Sequence, residues 1–396
     1  MQRIRVALPY FVEAGWDVTV LTVDDPTPTA PVEPELAATL PAAVRIERAP
    51  CWSRRWTGLL GFNNVALRSL PFLFLAGRRL LRGRRHDVVY FSTTMFVTLP
   101  LGRVWKFLTG VPYVVDLQDP WISDYYERPG APRPPGGWKY GFAQGIGRVL
   151  EGWTLRGAGA LIAVSAAYLE TVRRRYPEIA GTPAVELPFA SPDPDLARLR
   201  ATRKDRAPVL PAGGVRLAFA GALGPGQLAA VEVLLAAMAA ARRGGLRVSA
   251  HFFGTSYAPA GQPATLALAA QHGLQDCVHE QPGRLRYFDA LQVTLEAEAN
   301  LLFGSTDLAF TPSKLLAVLA AGRPVVAIAP AGSAMAARLA ALGSRCVTFV
   351  PGGDLEPAVR EAAAQLTALS APPPVPASHG AAAAARRQME ILAAAC

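Results

Sequence analysis

The chain has 396 residues, 51% hydrophobic and 18% charged, which is too long for one ordinary core and suits two domains that each bury a substantial interior. It lacks an uninterrupted apolar run of about 20 residues, which argues against a membrane-spanning helix, and Glu13, Gly15 and Asp17 break the opening apolar stretch in a way foreign to a secretory signal. Forty Lys and Arg against 30 Asp and Glu leave a net charge of +10, which favours anionic partners without choosing among phosphates, acidic lipids and nucleic acid.

Taken in chain order, short β-branched or aromatic runs alternate with longer helical patterns, the signature of parallel sheets covered by helices. The chain opens inside what reads as a helix, Gln2–Ala14, where an α/β domain should open with a strand and a Gly-containing turn, so a first strand is apparently missing. Strands are then predicted at Asp17–Val23, Asp87–Thr93, Tyr113–Leu117, Ala160–Val164 and Val185–Leu187. Between the first two of these, the apolar segment Leu70–Ala76 leads into Arg78, Arg79, Arg82, Arg84 and Arg85, which suits either an anionic membrane surface or a core helix with a solvated basic end. Residues 1–190 form the expected first domain. Residues 191–214, rich in Pro, Asp and Arg, read as a linker. The second domain, residues 215–370, repeats the scheme with strands at Val215–Ala220, Val248–Phe253, Cys277–Glu280, Ala299–Phe303, Pro324–Ala329 and Cys346–Val350. A Pro-rich break at Ala371–Pro376 precedes a last Ala-rich helix, so residues 371–396 stand apart.

Two runs carry the chemistry. In Thr311-Pro312-Ser313-Lys314-Leu315-Leu316-Ala317-Val318-Leu319-Ala320-Ala321-Gly322-Arg323-Pro324-Val325-Val326, Pro312 suits the first turn of a helix, and Ser313, Lys314 and the first free N–H groups suit anionic oxygens. Gly322 and Pro324 then end that helix before a buried strand. An ordinary helix-to-strand connection with one surface lysine is the plainer reading. Earlier, Gly221-Ala222-Leu223-Gly224-Pro225-Gly226 lies between a strand and the helix Gln227–Arg243, where glycines let backbone approach a pyrophosphate or simply make a turn. Open α/β sheets bind ligands beyond the carboxyl ends of their strands, which groups Asp119, Gly221, Gly254, Ser305 and Lys314. Cys51, Cys277, Cys346 and Cys396 are too scattered for a disulfide framework or a metal site, and the isolated histidines suggest neither a metal cluster nor a catalytic triad.

The 311–326 run resembles the donor-site segment of retaining GT-B glycosyltransferases, particularly those building bacterial cell-surface polysaccharides, in which a P-S-K turn leads into a Y-L-A-A-G-x-P-like helix end. A second run, Tyr113-Val114-Val115-Asp116-Leu117-Gln118-Asp119-Pro120-Trp121, resembles the D-x-Q-D-P-W segment of the same group, and similarity extends from Arg3 to about Ile328. The resemblance implies two Rossmann-like domains with parallel sheets facing across an interdomain cleft, and a nucleotide-diphosphate sugar as substrate with no cofactor or metal. It implies Lys314 as the cation that stabilises the leaving diphosphate. Asp119 would orient or deprotonate the acceptor hydroxyl, while Asp116 reads as a structural strand-end carboxylate. Gly221, Gly224, Gly226, Gly254, Arg284, Ser305, Thr311 and Ser313 would bind the donor. Trp121, Tyr125 and Tyr126 suit stacking on sugar or lipid, or packing of the domain. The last helix would cross back onto the first domain, or fray.

The sequence also departs from the group's pattern. Ala317 and Ala309 stand where related enzymes place carboxylates, Asp307 is out of register, and no Arg or Lys lies between Gly221 and Gln227. The absent opening strand and glycine-rich acceptor loop imply either a start upstream, which is favoured, or an incomplete acceptor cleft. The expected function is transfer of a sugar, with retention, to a hydroxyl of a surface glycan or lipid-linked acceptor. The setting would be the cytoplasm, with or without attachment to the inner face of an anionic membrane, and no nucleic acid is involved. Two rivals stay open: a catalytically weak or inactive binding and assembly protein, and a GT-B-fold sugar-nucleotide epimerase.

Overall fold

A computed structural model of the protein describes residues 2–25, 33–58, 64–83, 85–122, 138–256 and 263–396. It divides into two compact units. The first comprises Met1–Val32, Ala37–Pro188 and Ala382–Cys396; the second comprises Glu33–Leu36 and Phe189–Ala381.

The first unit holds two parallel sheets. One pairs β1 (Thr19–Asp24) with β2 (Arg45–Pro50); the other runs β3 (Val89–Phe91), β4 (Tyr113–Leu117), β5 (Ala160–Ala163) and β6 (Ala184–Glu186) in that order. The strand β2 has no counterpart among the sequence expectations. Its run Arg-Ile-Glu-Arg-Ala-Pro carries three charges and buries only Ala49, so it lacks the continuous apolar character that marks β4 and β5, which are buried at every position. The helix Val65–Leu81 turns Leu73, Gly77 and Leu81 inward against the core of Phe91, Leu99, Trp105 and Tyr113, which leaves its terminal arginines Arg78, Arg79 and Arg82 in solvent. Most of the Leu70–Ala76 run thus packs inward, with Leu75 the exception at 59% exposed. Arg84 lies outside the described residues.

Asp116, at the end of β4, organises the carboxyl edge of this sheet. Its buried Oδ2 accepts from Tyr90 Oη (3.0 Å), Ser92 Oγ (3.3 Å) and Gln118 Nε2 (2.8 Å), and lies 3.0 Å from Nε of Arg3. Arg3, in the opening helix Gln2–Glu13, also donates to the carbonyl oxygens of Leu187 (2.7 Å) and Pro188 (3.3 Å). One guanidinium therefore ties that helix to the ends of β4 and β6. Burial raises the carboxyl pKa of Asp116, while Arg3 and the three donors pull it back down.

The second unit is one six-stranded parallel sheet of β7 (Val215–Ala220), β8 (Val248–Phe253), β9 (Val278–Gln281), β10 (Ala299–Phe303), β11 (Val325–Pro330) and β12 (Val347–Phe349). Its spatial order is β12-β11-β10-β7-β8-β9, so the chain winds outward from β7 in one direction and then returns to lay β10 on the other side. Residues 191–214, expected as linker, hold the helix Asp193–Thr202 and belong to this unit. Leu196 and Leu199, one turn apart, bury against Phe288, Leu291 and Leu295, an apolar pair that the Pro-rich composition hides. The last helix, Ala381–Ala393, falls almost wholly within the first unit's share of the chain.

Replacing Arg3 with Met leaves the Asp116 carboxylate buried without its cation, and chemical denaturation is expected to show a loss of about 3 kcal/mol near neutral pH. That loss shrinks as the pH is lowered, because a carboxyl whose folded-state pKa is raised holds its proton more tightly in the folded chain than in the unfolded one.

Candidate functional site

The reversal of strand order between β7 and β10 creates a switch point, the place in an open α/β sheet where the loops after two adjacent strands part and leave a crevice at their carboxyl ends. Those loops carry much of the predicted site. After β7, Gly221 N donates to Phe253 O (2.8 Å) and Leu223 N to Thr255 O (3.0 Å), which prolongs the pairing with the end of β8. The chain then turns, and Gly226 meets the loop after β10: its carbonyl accepts from Thr306 N at 2.9 Å, and a Cβ at residue 226 would stand 2.5 Å from Ser305 Oγ and 2.9 Å from Thr306 Oγ1. Any side chain at 226 would have to push both hydroxyls aside. The short turn Pro225–Gln227 passes into the helix Leu228–Arg243, whose first amides receive no side-chain cap. A 16-residue helix beginning there presents partial positive charge at its start.

Lys314 closes the group. Its Nζ donates to Ala220 O at 2.9 Å and sits 3.0 Å from the centroid of the Phe219 ring, so the ammonium is held at the end of β7 by a carbonyl and an aromatic face. Gly221 makes the space: at φ 146° its α-carbon is where a Cβ would approach Nζ to 2.9 Å. Burial drives the lysine pKa well below its usual value. The sequence places Pro312 to Lys314 inside a helical first turn, whereas the helix begins at Leu315, spans six residues to Ala320, and has Lys314 as its N-cap. Pro312 is buried and accepts from Leu315 N at 3.0 Å, which makes the Pro-Ser-Lys run a turn that aims the lysine back at the sheet. A helix this short contributes little dipole, so the relevant amides belong to Leu228–Arg243.

The remaining predicted residues divide. At Gly254, φ +68°, an added Cβ would stand 3.6 Å from Arg284 Cα and 3.9 Å from Gly221 N, so the loops after β7, β8 and β9 converge, with the Arg284 side chain exposed. Gly224 N donates to Gln227 Oε1 at 2.9 Å. Thr311 and Ser313 are exposed and join none of the described contacts of the cradle. Ala317 is half-buried beside the cluster of Leu196, Phe288 and Leu291, and Ala309 is exposed with its amide on Asp307 Oδ1 at 3.4 Å. Asp119 belongs to the first unit. It is exposed, its carbonyl accepts from Tyr168 Oη at 2.8 Å, and the same hydroxyl accepts from Trp121 N at 2.9 Å, which clamps the loop. Surrounding protein raises the Asp119 carboxyl above the usual aspartate value. Trp121 stacks on Phe96 with centroids 5.6 Å apart and so packs the domain; Tyr125 and Tyr126 lie outside the described residues.

Sequence reasoning missed the residues that brace this cradle. Buried Gln227 reaches from the glycine loop to Phe303 O at 3.1 Å, locking it onto β10, and Glu280 accepts from Thr255 Oγ1, Ala264 N (3.1 Å) and Thr265 N (2.7 Å), holding the loop after β8. A glutamine at a helix start and a glutamate ending a strand give no local signal of either role. None of the cradle residues lines the groove of about 390 Å³ found between Ser333, Ala336, Ala340, Cys346 and Thr348, whose walls carry no charged side chain. Among the described residues, no cluster of three or more His, Cys, Asp or Glu is placed to hold a metal.

Residues 3–190 match the family described as Glycosyl transferase 4-like domain. That match takes in most of the first unit. Sucrose-phosphate synthase from Thermosynechococcus elongatus superposes with a TM-score of 0.59 at 16% identity, over 99% of this chain and 90% of that one. The α,α-trehalose 6-phosphate synthase from Burkholderia multivorans gives 0.53 at 12%, over 96% and 93%. Both likenesses concern architecture, and they establish the GT-B fold, whose second Rossmann-like unit contains the cradle. No curated protein matches the chain in sequence.

Substituting Gly221 with Ala is expected to strain the backbone and displace the lysine, at a cost of about 1–3 kcal/mol. Thermal unfolding checks the cost; acylation of Lys314 by an amine-specific reagent, read by peptide mass spectrometry, should rise in the variant.

Proposed function

We propose that the protein is a glycosyltransferase that moves a sugar, with retention, from a nucleotide-diphosphate donor to a hydroxyl of a surface glycan or lipid-linked acceptor. The observation that carries the reading is the meeting of Gly221, Gly226, Ser305, Thr306 and Lys314 at the switch point of the second unit, in a chain whose residues 3–190 match a glycosyl transferase 4-like family. The two synthases of similar fold bear names of sugar-phosphate products, which suits the same class of chemistry.

In this reading the diphosphate lies over the glycine turn, against the first amides of Leu228–Arg243. Negative charge grows on the leaving diphosphate as the glycosidic bond breaks, and fixed positive groups stabilise that state more than the ground state. Lys314 supplies the charge by releasing Ala220 O and taking up a proton, its depressed pKa rising beside the phosphate. Asp119 meets the acceptor hydroxyl, and its raised pKa suits a group that accepts a proton during transfer. Ala309 and Ala317 offer no carboxylate to the ribose. Each lost charged hydrogen bond weakens donor binding by about 1.5–3 kcal/mol.

The sequestered Lys314 together with those two alanines favours one other reading, a weakly active or inactive binding protein, and assay separates them. With a panel of nucleotide sugars, transfer or slow donor hydrolysis is expected in the wild type, and Lys314→Met should lower kcat by about a hundredfold or more; equal rates would remove Lys314 from the reaction. Donor interconversion with no acceptor present would instead identify an epimerase.

Proton linkage gives an independent check. A group whose pKa rises on binding takes up a proton, so donor affinity is greatest at low pH and falls as the pH climbs through the bound-state pKa. Calorimetry in two buffers of different ionisation enthalpy should record net proton uptake in the wild type and none in Lys314→Met.

A further inference from the structure

The first unit carries an apolar stripe that its core does not use. In the helix Trp138–Leu155, Phe142, Ile146, Val149 and Trp153 follow one another at four, three and four residues, the spacing that keeps side chains on one face. They are 65%, 46%, 70% and 37% exposed, whereas Gly147, Glu151, Thr154 and Leu155 on the opposite face are buried. The helix Pro100–Thr109, which packs against this one, adds Phe107 at 88% and Leu108 at 46%. A surface monomer gains nothing by holding six large apolar side chains in water on two adjoining helices.

Among the described residues of the two helices, the exposed charges have one sign. Arg103 lays its guanidinium 4.7 Å from the Trp153 ring centroid and donates to the Trp153 carbonyl, Lys106 Nζ reaches Gly157 O at 2.9 Å, and Arg148 is exposed. The helix Pro100–Thr109 contains no acidic residue. The one in Trp138–Leu155, Glu151, is buried and paired with Arg175 at 2.8 Å. Just past that helix, Arg156 is neutralised by Glu178 at 2.9 Å. Among the described residues, the exposed parts of both helices therefore present aromatic and aliphatic groups edged by Arg103, Lys106 and Arg148.

We propose that this face docks the protein on a lipid bilayer bearing anionic headgroups. Phe107, Phe142, Ile146 and Val149 enter the boundary between headgroups and acyl chains, while Arg103, Lys106 and Arg148 meet the lipid phosphates. Trp153, its ring covered by Arg103, sits at headgroup depth, where an amphipathic indole is favoured. A second copy of the chain is a poorer occupant, because an isologous pairing of this face sets basic edge against basic edge. None of the described helices is long and apolar enough to cross a membrane, so contact through this face is peripheral.

Co-sedimentation of the full chain with vesicles tests the proposal without reference to sugar transfer. The wild type should bind vesicles of equal phosphatidylcholine and phosphatidylglycerol, bind phosphatidylcholine alone weakly, and release with rising salt. The double variant Phe142→Glu, Val149→Glu should lose binding by about tenfold or more, since two apolar groups worth more than a decade of affinity together become charged. The milder Phe142→Ser, Val149→Ser should give an intermediate loss, and both should keep the wild-type unfolding temperature because the positions are exposed. The proposal is overturned if the wild type stays in the supernatant with the mixed vesicles, or if the glutamate variant sediments like the wild type. It also falls if light scattering shows a dimer that the variant converts to monomer while vesicle binding is unchanged.

Discussion

The return of the chain across β7 to lay down β10 is the constraint on which the second unit depends. Two parallel neighbours whose following connections run to opposite sides of the sheet cannot close over their own carboxyl ends, so a crevice is built into the winding. Everything that occupies its rim is fitted to that gap. Gln227 spans it by hydrogen bonding to Phe303 O, Thr306 answers Gly226 across it, and glycines at 221 and 226 allow backbone and side chain to come closer than any Cβ would permit.

Lys314 shows what such a rim does to a charge. An ammonium withdrawn from water must find compensation, and here one carbonyl and one ring face supply only part of it, so the proton is held loosely. An arrangement of this kind is responsive. A multiply charged anion arriving beside the amine restores the missing compensation, and the lysine exchanges a weak pair of contacts for a strong one. The same residue thus reads as half-buried and structural without a ligand and as a charge donor with one.

In the first unit, the run from Asp116 to Trp121 divides into an inner and an outer half. Asp116 and Gln118 are taken up by a buried network with Tyr90, Ser92 and Arg3, while Asp119 emerges from it on a loop that Tyr168 grips by two backbone hydrogen bonds. A carboxylate on a clamped but solvated loop keeps a defined position without the full penalty of burial. The inner half makes the outer half rigid.

Strand positions were legible because a strand buried on both faces of a parallel sheet has to be apolar almost throughout, as Tyr113–Leu117 and Ala299–Phe303 are. The edge strand Arg45–Pro50 and the helix Asp193–Thr202 escaped notice because one is mostly solvated and the other advertises proline and aspartate more loudly than its two leucines. Sequence by itself determined the alternating α/β order, the glycine turn after β7 and the presence of a lysine in the 311–326 run, all matters of local periodicity and residue type. Only the tertiary structure decided that this lysine bonds to a carbonyl 94 positions earlier, that Gly226 touches Ser305, and that one face of Trp138–Leu155 stays in water. Those outcomes depend on which distant segments the sheet order brings together, and no local pattern encodes that order.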